Sequence, residues 1–530
     1  KTFGSLIQIP DALNAQLPAL AAALGKANET GDLYAQAAAL DLMALVQQAQ
    51  VLGRKFDAVV ANPPYMGGKG MNGVMKDFAK AFFPASKADL FAMFIERSFD
   101  LCKRTGFSST VTMQAWMFLS SYAGLREKAL EVSCLSSLVQ LPYDGKGPTA
   151  MDINFGLSLT VFFRSNIKEF FSKFDCFRYY ELSDEGCPKR FPSLNERNLV
   201  GKSDSFKKIP GSPFAYWLPE VAVDIFSKSE PLERIAEPRQ GMATSDVGRF
   251  IRFWFEVDYS SIGFGCACND DSVKSNRKWF PHNKGGEFRR WYGNNLSIVN
   301  WRNGGQDVLA YAAELYGSPT RTVKNIAYYF KPSVSWSLIG SGAFSARVNS
   351  EGFTFDVAGP SAFPEKDSIP VVAGFLNSEV ASYFMKAINP TMNFNSGDIA
   401  RLPFLIPLGW KDNVSPLIGL SKEDWDSFEI SWDFMAFTLV RRGGECASIG
   451  KCWDNYSKEK DDSFFLASEL EEENNRAFIS AYGLERELSA SVRPEQISLA
   501  RADREKDSQR LTSYAIGCMM GRYSLDEPGL

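Results

Sequence analysis

The chain has 530 residues, a formal net charge of −4, nine cysteines, one histidine, 45% hydrophobic and 23% charged residues. That length exceeds one core, so roughly two to four domains are expected. The charge excludes a polycation, so nucleic-acid affinity must come from a local patch, and the single histidine, His282, excludes most histidine-based metal sites and imidazole acid–base schemes.

The cysteines follow no zinc spacing. The closest pairs are Cys266-Ala267-Cys268 and Cys446…Cys452, so reduced thiols in a cytoplasmic protein are expected. No metal is expected. No apolar run reaches the length of a membrane span, and Lys1-Thr2-Phe3-Gly4 has no apolar run behind it. His282 sits in a run that reads as polar loop.

From the start, Asn14 to Gln50 is rich in alanine and leucine and predicts two helices. Next comes Phe56-Asp57-Ala58-Val59-Val60-Ala61-Asn62-Pro63-Pro64-Tyr65. Ala58 to Ala61 reads as a short buried strand. The two prolines fix two φ angles and remove two N–H donors, and Pro63 drives Asn62 out of helical geometry. The result is a stiff corner at the carboxyl end of a strand, where open α/β sheets bind ligands. Asn62 and Pro63 offer neutral acceptors suited to a planar –NH2 group, and Tyr65 offers a ring for stacking. An isolated Asn-Pro would be a turn; the strand and tetrapeptide together favour a site.

Gly67-Gly68-Lys69-Gly70 lacks Walker spacing and reads as a flexible loop, with Lys69 a candidate phosphate contact. Ser86 to Lys103 predicts a helix with Asp89 early in it. Thr110 to Met113 predicts a strand, Leu119 to Glu131 a helix, and Leu135 to Leu141 and Leu157 to Phe163 two further strands. The alternation argues for a mostly parallel, doubly wound sheet. Residues 165–235 turn rich in charge, proline and serine and read as a connector.

From Val273 to Arg302 the chain interleaves Lys274, Arg277, Lys278, Lys284, Arg289 and Arg290 with Trp279, Phe280, Phe288, Trp291, Tyr292 and Trp301. These basic residues are candidate DNA contacts, and Asn294, Asn295, Asn300 and Asn303 candidate readers of adenine. The alternative is a solvated basic surface with aromatic packing. Beyond Gly409 the pattern is helical: Trp425 to Arg442, Asp461 to Glu487 and Pro494 to Met520, with Glu471-Glu472-Glu473 read as a solvated face.

Phe-Asp-x-Val-Val-Ala-Asn-Pro-Pro-Tyr, with Met66 to Gly73 and Lys87 to Arg97, resembles the PglX family, the adenine-specific DNA methyltransferases of BREX phage-defence systems, similar in plan to type IIG enzymes. Gln240 to Phe250 resembles the entry to their target recognition domain. The resemblance implies S-adenosylmethionine as cofactor, double-stranded DNA and other BREX proteins as partners, and catalytic roles for Asn62, Pro63, Pro64 and Tyr65. It assigns the second wall of the base pocket to Phe155. It also implies a glycine-rich cofactor turn ahead of the corner. The only glycines before Asn62 are Gly4, Gly25, Gly31 and Gly53, so most of the cofactor site is expected upstream of Lys1.

The expected architecture is α/β. A Rossmann-like methyltransferase sheet, incomplete at its N-terminal side, occupies 1–165, and a connector 166–235. A mixed α/β target recognition domain at 236–408 is followed by a helical C-terminal region at 409–530. Two other readings stay open: an amino-methyltransferase acting on cytosine N4 or a glutamine amide, and a non-catalytic DNA-recognition or docking component.

Overall fold

The computed structural model describes residues 2–29, 32–142, 156–192, 195–340, 343–391, 393–441 and 448–525. The chain divides into two compact units, Lys1–Ser227 and Lys228–Leu530.

The first unit opens with two antiparallel-paired helices, α1 (Asp11–Glu29) and α2 (Leu33–Gly53). Asp32 caps α2 by accepting the Tyr34 N–H. Several of their leucines stay exposed, Leu33 and Leu40 most of all. A six-stranded sheet follows: β1 (Phe56–Ala61), β2 (Cys102–Met113), β3 (Cys134–Leu141), β4 (Leu157–Phe163), β5 (Phe171–Cys176) and β6 (Leu199–Lys202). Its spatial order is β1-β2-β4-β3-β5-β6. β1 runs parallel to β2 and β3 parallel to β5, while β4 lies antiparallel between β2 and β3. The connections carry α3 (Gly73–Phe82), α4 (Leu90–Leu101) and α5 (Ala123–Val132).

The α/β class and β4 match the sequence expectation; three other expectations do not hold. The sheet is mixed rather than mostly parallel, because β4 and β6 run against their neighbours. β1 forms, but it is an edge strand and is not buried: Val60 is 80% exposed. An apolar run predicts a strand, but burial depends on what covers its faces. Nor is 166–235 a connector. It supplies β5 and β6, and Phe174, Phe206 and Phe214 enter the core beside Trp116, Leu135 and Phe162. Buried Arg126 ties this segment down, donating from Nε to the carbonyls of Gly211 and Ser212 and from Nη1 to those of Trp116 and Leu119.

The buried face of β2 is polar. Ser108, Thr110 and Thr112 alternate on it, and the Thr110 and Thr112 hydroxyls pair with Thr160 and Ser158 of β4, each at 3.1 Å. Trp116 Nε1 donates to both Thr112 and Ser158. Cross-strand hydroxyl pairs of this kind fix register.

The second unit holds a four-stranded sheet built on Trp279–Asn283 and Ser297–Asn300, and a three-stranded sheet centred on Ser333–Trp336. The helices Ile369–Leu376 and Glu379–Ile388 pack against C-terminal helices Val414–Asp426 and Ile449–Tyr482. The packing therefore puts no division at 408. The helix predicted over Trp425–Arg442 is broken: one helix ends at Asp426, and the next is Thr438–Arg441. Among the described residues, no helix is long and apolar enough to cross a membrane.

Gly106 lies within β2, opposite a register shift in β1 between Phe56 and Ala58. A Cβ there would sit 2.8 Å from the Asp57 carbonyl and 3.1 Å from that of Phe56. Gly106→Ala should cost about 1–3 kcal/mol through backbone displacement, read as a lowered denaturation midpoint of the chain.

Candidate active corner and basic surface

β1 ends at Ala61, paired with Thr110 of the parallel β2. Asn62 follows at the carboxyl edge of the sheet and is exposed; Pro63 is buried, Pro64 exposed and Tyr65 half-buried. The chain thus anchors through Pro63 and Tyr65 and leaves the Asn62 amide facing outward. No backbone N–H of the described residues donates to the Pro63 carbonyl. Asn62 is thus an exposed acceptor on this turn, and the carbonyl of buried Pro63 is a second one that accepts no backbone N–H.

Tyr65 is fixed at two points. Its hydroxyl donates to the Val111 carbonyl at 3.1 Å and lies 3.5 Å from Asn62 Oδ1, and its ring leans on Phe91 at 5.9 Å. Burial, and then the Asp89 charge, push the phenol above its usual pKa, so it stays a neutral donor. The ring is held at the corner while Asn62 has only a long, weak contact to release.

Asp89 is a residue that the sequence reading misplaced. It is not inside a helix but caps α4, and it is 6% exposed. Its Oδ1 accepts N–H groups from Phe91 at 3.3 Å and from Met66, directly after Tyr65, at 3.0 Å. The backbone repeats the clamp: Leu90 N–H reaches the Met66 carbonyl at 3.1 Å, and Gly68 N–H that of Ala88 at 3.2 Å. Burial raises the Asp89 carboxyl, against the pull of the Met66, Phe91 and Leu90 N–H groups. Asp before Leu90-Phe91-Ala92 is an N-cap signal that was available in the sequence. Asp89→Ala should cost about 1–2 kcal/mol and speed proteolysis between Met66 and Gly73, read by timed digestion.

Lys69 is exposed in the turn closed by the 2.9 Å bond from Gly70 N–H to the Gly67 carbonyl. Phe155 lies outside the described residues.

The basic run of the second unit separates into two kinds of residue. Lys274, Arg277 and Lys278 are exposed on and after the helix Asn269–Lys274, and Lys284 is half-buried. Arg289 and Arg290 are not surface contacts. Arg289 pairs with Asp424 at 2.8 Å. Arg290 pairs with Glu471 at 2.6 Å, both side chains at 3% exposure or less. Trp291 Nε1 donates to the same carboxylate at 2.7 Å. Glu471 therefore faces the interior rather than solvent; burial raises its carboxyl against the pull of Arg290 and Trp291. Trp279, Phe280, Trp291 and Trp301 are core residues, so among the run's large rings only Phe288 is exposed and Tyr292 half-buried. Asn295 and Asn300 are buried, Asn294 is half-buried, and Asn303 is exposed.

His282 is also interior. It lies on the strand Trp279–Asn283, with Nδ1 at 2.9 Å from Thr354 Oγ1 and Nε2 at 3.3 Å from Asp356 Oδ2. Burial works to raise the Asp356 carboxyl, but the hydrogen bond and charge of His282 outweigh it and hold the carboxyl low. Among the described residues no group of histidine, cysteine and acidic side chains could hold a metal.

Substitution should tell the two kinds apart. Arg290→Ala leaves Glu471 buried without its counter-charge and should cost about 3–5 kcal/mol in thermal unfolding. Lys274→Ala, Arg277→Ala and Lys278→Ala should leave the melting point in place. Each should lower the slope of log affinity against log salt for duplex DNA by about 0.9 for every phosphate the chain no longer neutralises.

Residues 23–146 match the Eco57I restriction-modification methylase family. Along its whole length the chain is 34% identical to the adenine-specific methyltransferase BrxX of Escherichia coli O9:H4 (strain HS), covering 44% of that protein. It is 34% identical, over 92% of its length, to the adenine-specific methyltransferase PglX of Lacticaseibacillus casei (strain Zhang), covering 41% of that protein. The chain thus spans less than half the length of either relative. Among solved structures, the type IIL restriction-modification enzyme MmeI in complex with DNA aligns with 86% of this chain and 57% of its own, at 12% identity and a TM-score of 0.48.

Proposed function

We propose that this chain, similar throughout to BrxX and PglX, carries the target-base side and the DNA-recognition part of an adenine-N6 DNA methyltransferase of a BREX-type defence system. The observation that carries the reading is the outward Asn62 amide beside the tethered Tyr65 ring, at the carboxyl edge of an α/β sheet.

The target adenine leaves the duplex stack to reach this corner. Its N6 amine donates to Asn62 Oδ1 and to the Pro63 carbonyl. Accepting both protons leaves the nitrogen lone pair more available and fixes its direction, so positioning does most of the work. Tyr65 stacks on the ring, its plane held by the Val111 tether. Pro63 and Pro64 keep the acceptors from rotating away when no base is present. Lys274, Arg277 and Lys278 take phosphates, with Lys284 and Lys69 as further contacts on the DNA backbone. Neither Arg289 nor Arg290 has a part in it.

S-adenosylmethionine supplies the methyl group in this reading. The described residues fit that cofactor only on the side of the corner. Ahead of β1 they form helices and a short 3-10 turn, with no strand followed by a glycine-rich turn, so we assign it no cradle among them. The position of β1 at the end of the strand order supports further strands of a longer protein pairing there, as does the greater length of both relatives. Other BREX proteins are the expected partners.

Asn62→Ala in the full-length protein should reduce adenine methylation at least about 100-fold, the scale of losing a hydrogen bond made in the transition state. DNA affinity should change less than about threefold, because Asn62 touches no phosphate in this reading. Methylation-sensitive sequencing reads the first and a gel-shift titration the second. Equal loss of both would overturn the assignment of roles.

A further inference from the structure

A chain of amides runs along the same sheet edge as Asn62. Tyr216, stacked on Phe174 at 4.8 Å and 1°, reaches Gln140 Oε1 through its hydroxyl at 2.6 Å. Gln140 Nε2 donates to Gln114 Oε1 at 2.7 Å. Burial, and then Cys176, push the Tyr216 phenol far above the ordinary tyrosine range, so it serves as a donor. With the phenol donating, both amides are oriented and the chain ends on Gln114 Nε2. That group has no hydrogen-bond partner among the described residues, and Gln114 is only half-buried.

Placement directs this donor to the corner. Gln114 follows the carboxyl end of β2, Gln140 lies near that of β3, and Gly156 precedes β4, whose antiparallel start reaches the same edge. Gln114 is three residues beyond Val111, which tethers Tyr65, a span of roughly 10 Å in extended chain. Gly156 makes room for the amide: a Cβ there would fall 2.2 Å from Gln114 Nε2. The corner itself offers acceptors, which recognise an amine without distinguishing which base carries it. A fixed donor across the edge supplies the complementary half of a base's pattern. Each bond in such a chain polarises the next, which strengthens the terminal donor.

The geometry points to Gln114 as a base-contacting residue whose Nε2 donates to a ring nitrogen of the purine held at its amine by Asn62 and Pro63. Gln140 and Tyr216 are positioning residues for it. The inference rests on the adenine-methyltransferase reading above and deepens it.

The test pairs variants with altered bases. Once sequencing has given the methylated motif, duplexes are made with 1-deaza-, 3-deaza- or 7-deazaadenine at the target position. The full-length protein is compared with its Gln114→Leu and Gly156→Ala variants. In the unsubstituted protein, one of the three analogues should lower kcat/KM by about 10- to 100-fold, as a lost hydrogen bond to a buried polar group does. Gln114→Leu should start lower by a similar factor and lose nothing more with that analogue. Gly156→Ala, which displaces the amide while keeping Gln114, should behave the same way. If every analogue costs the variants as much as the unsubstituted protein, Gln114 does not touch the base and the inference falls alone. If the unsubstituted protein methylates no adenine, the methyltransferase reading falls, and the base contact with it.

Discussion

The parallel pairing of β1 with β2 is the constraint on which the corner depends. It sets where Ala61 ends, and therefore where Asn62 emerges. The close approach at Gly106 lets β1 settle against its neighbour despite its register shift. Val111, one residue beyond the last position of β2 paired with β1, then supplies the carbonyl that holds Tyr65. From the other side, Asp89 holds the chain that leaves the corner. Two prolines would make a stiff bend anywhere; these tethers give the bend a fixed direction relative to the sheet.

The second unit illustrates how burial sorts like charges. Arg289 and Arg290 are close in sequence to residues that belong to the surface, yet both guanidinium groups are taken up by carboxylates from distant C-terminal helices. A buried guanidinium needs a partner inside the protein because water no longer solvates it. Lys274, Arg277 and Lys278 keep their water and remain available to a polyanion. Basic composition alone carries no information about which of the two states a residue occupies.

Much of the first unit was legible because its signals are local. β4 begins and ends where the apolar run does, α5 and β3 lie within a few residues of the expected bounds, and the Asn-Pro-Pro-Tyr corner stands out from its own chemistry. What stayed hidden depends on distant chain. The exposure of β1 reflects what lies beside it. The absorption of residues 166–227 into the sheet depends on Arg126 and on Phe174, Phe206 and Phe214 finding the core. The hydroxyl pairs between β2 and β4 look like ordinary serines and threonines until the strands meet. Glu471 reads as solvated because Glu472 and Glu473 follow it, and only the Arg290 pairing shows otherwise. His282 reads as a loop residue because its partners, Thr354 and Asp356, lie more than seventy positions away.

The joint between Arg290 and Glu471 also bears on how such a module can diversify. The basic segment and the helix Ile449–Tyr482 share an enclosed ion pair reinforced by Trp291, and Arg289 and Asp424 make a second. A recombination event that imported new sequence for 273–302 alone would strand charges on both sides of the seam. Exchange of the basic segment therefore has to carry both stretches as one cassette, or replace the paired charges together with matched apolar residues. The inherited unit of change is larger than the basic segment itself.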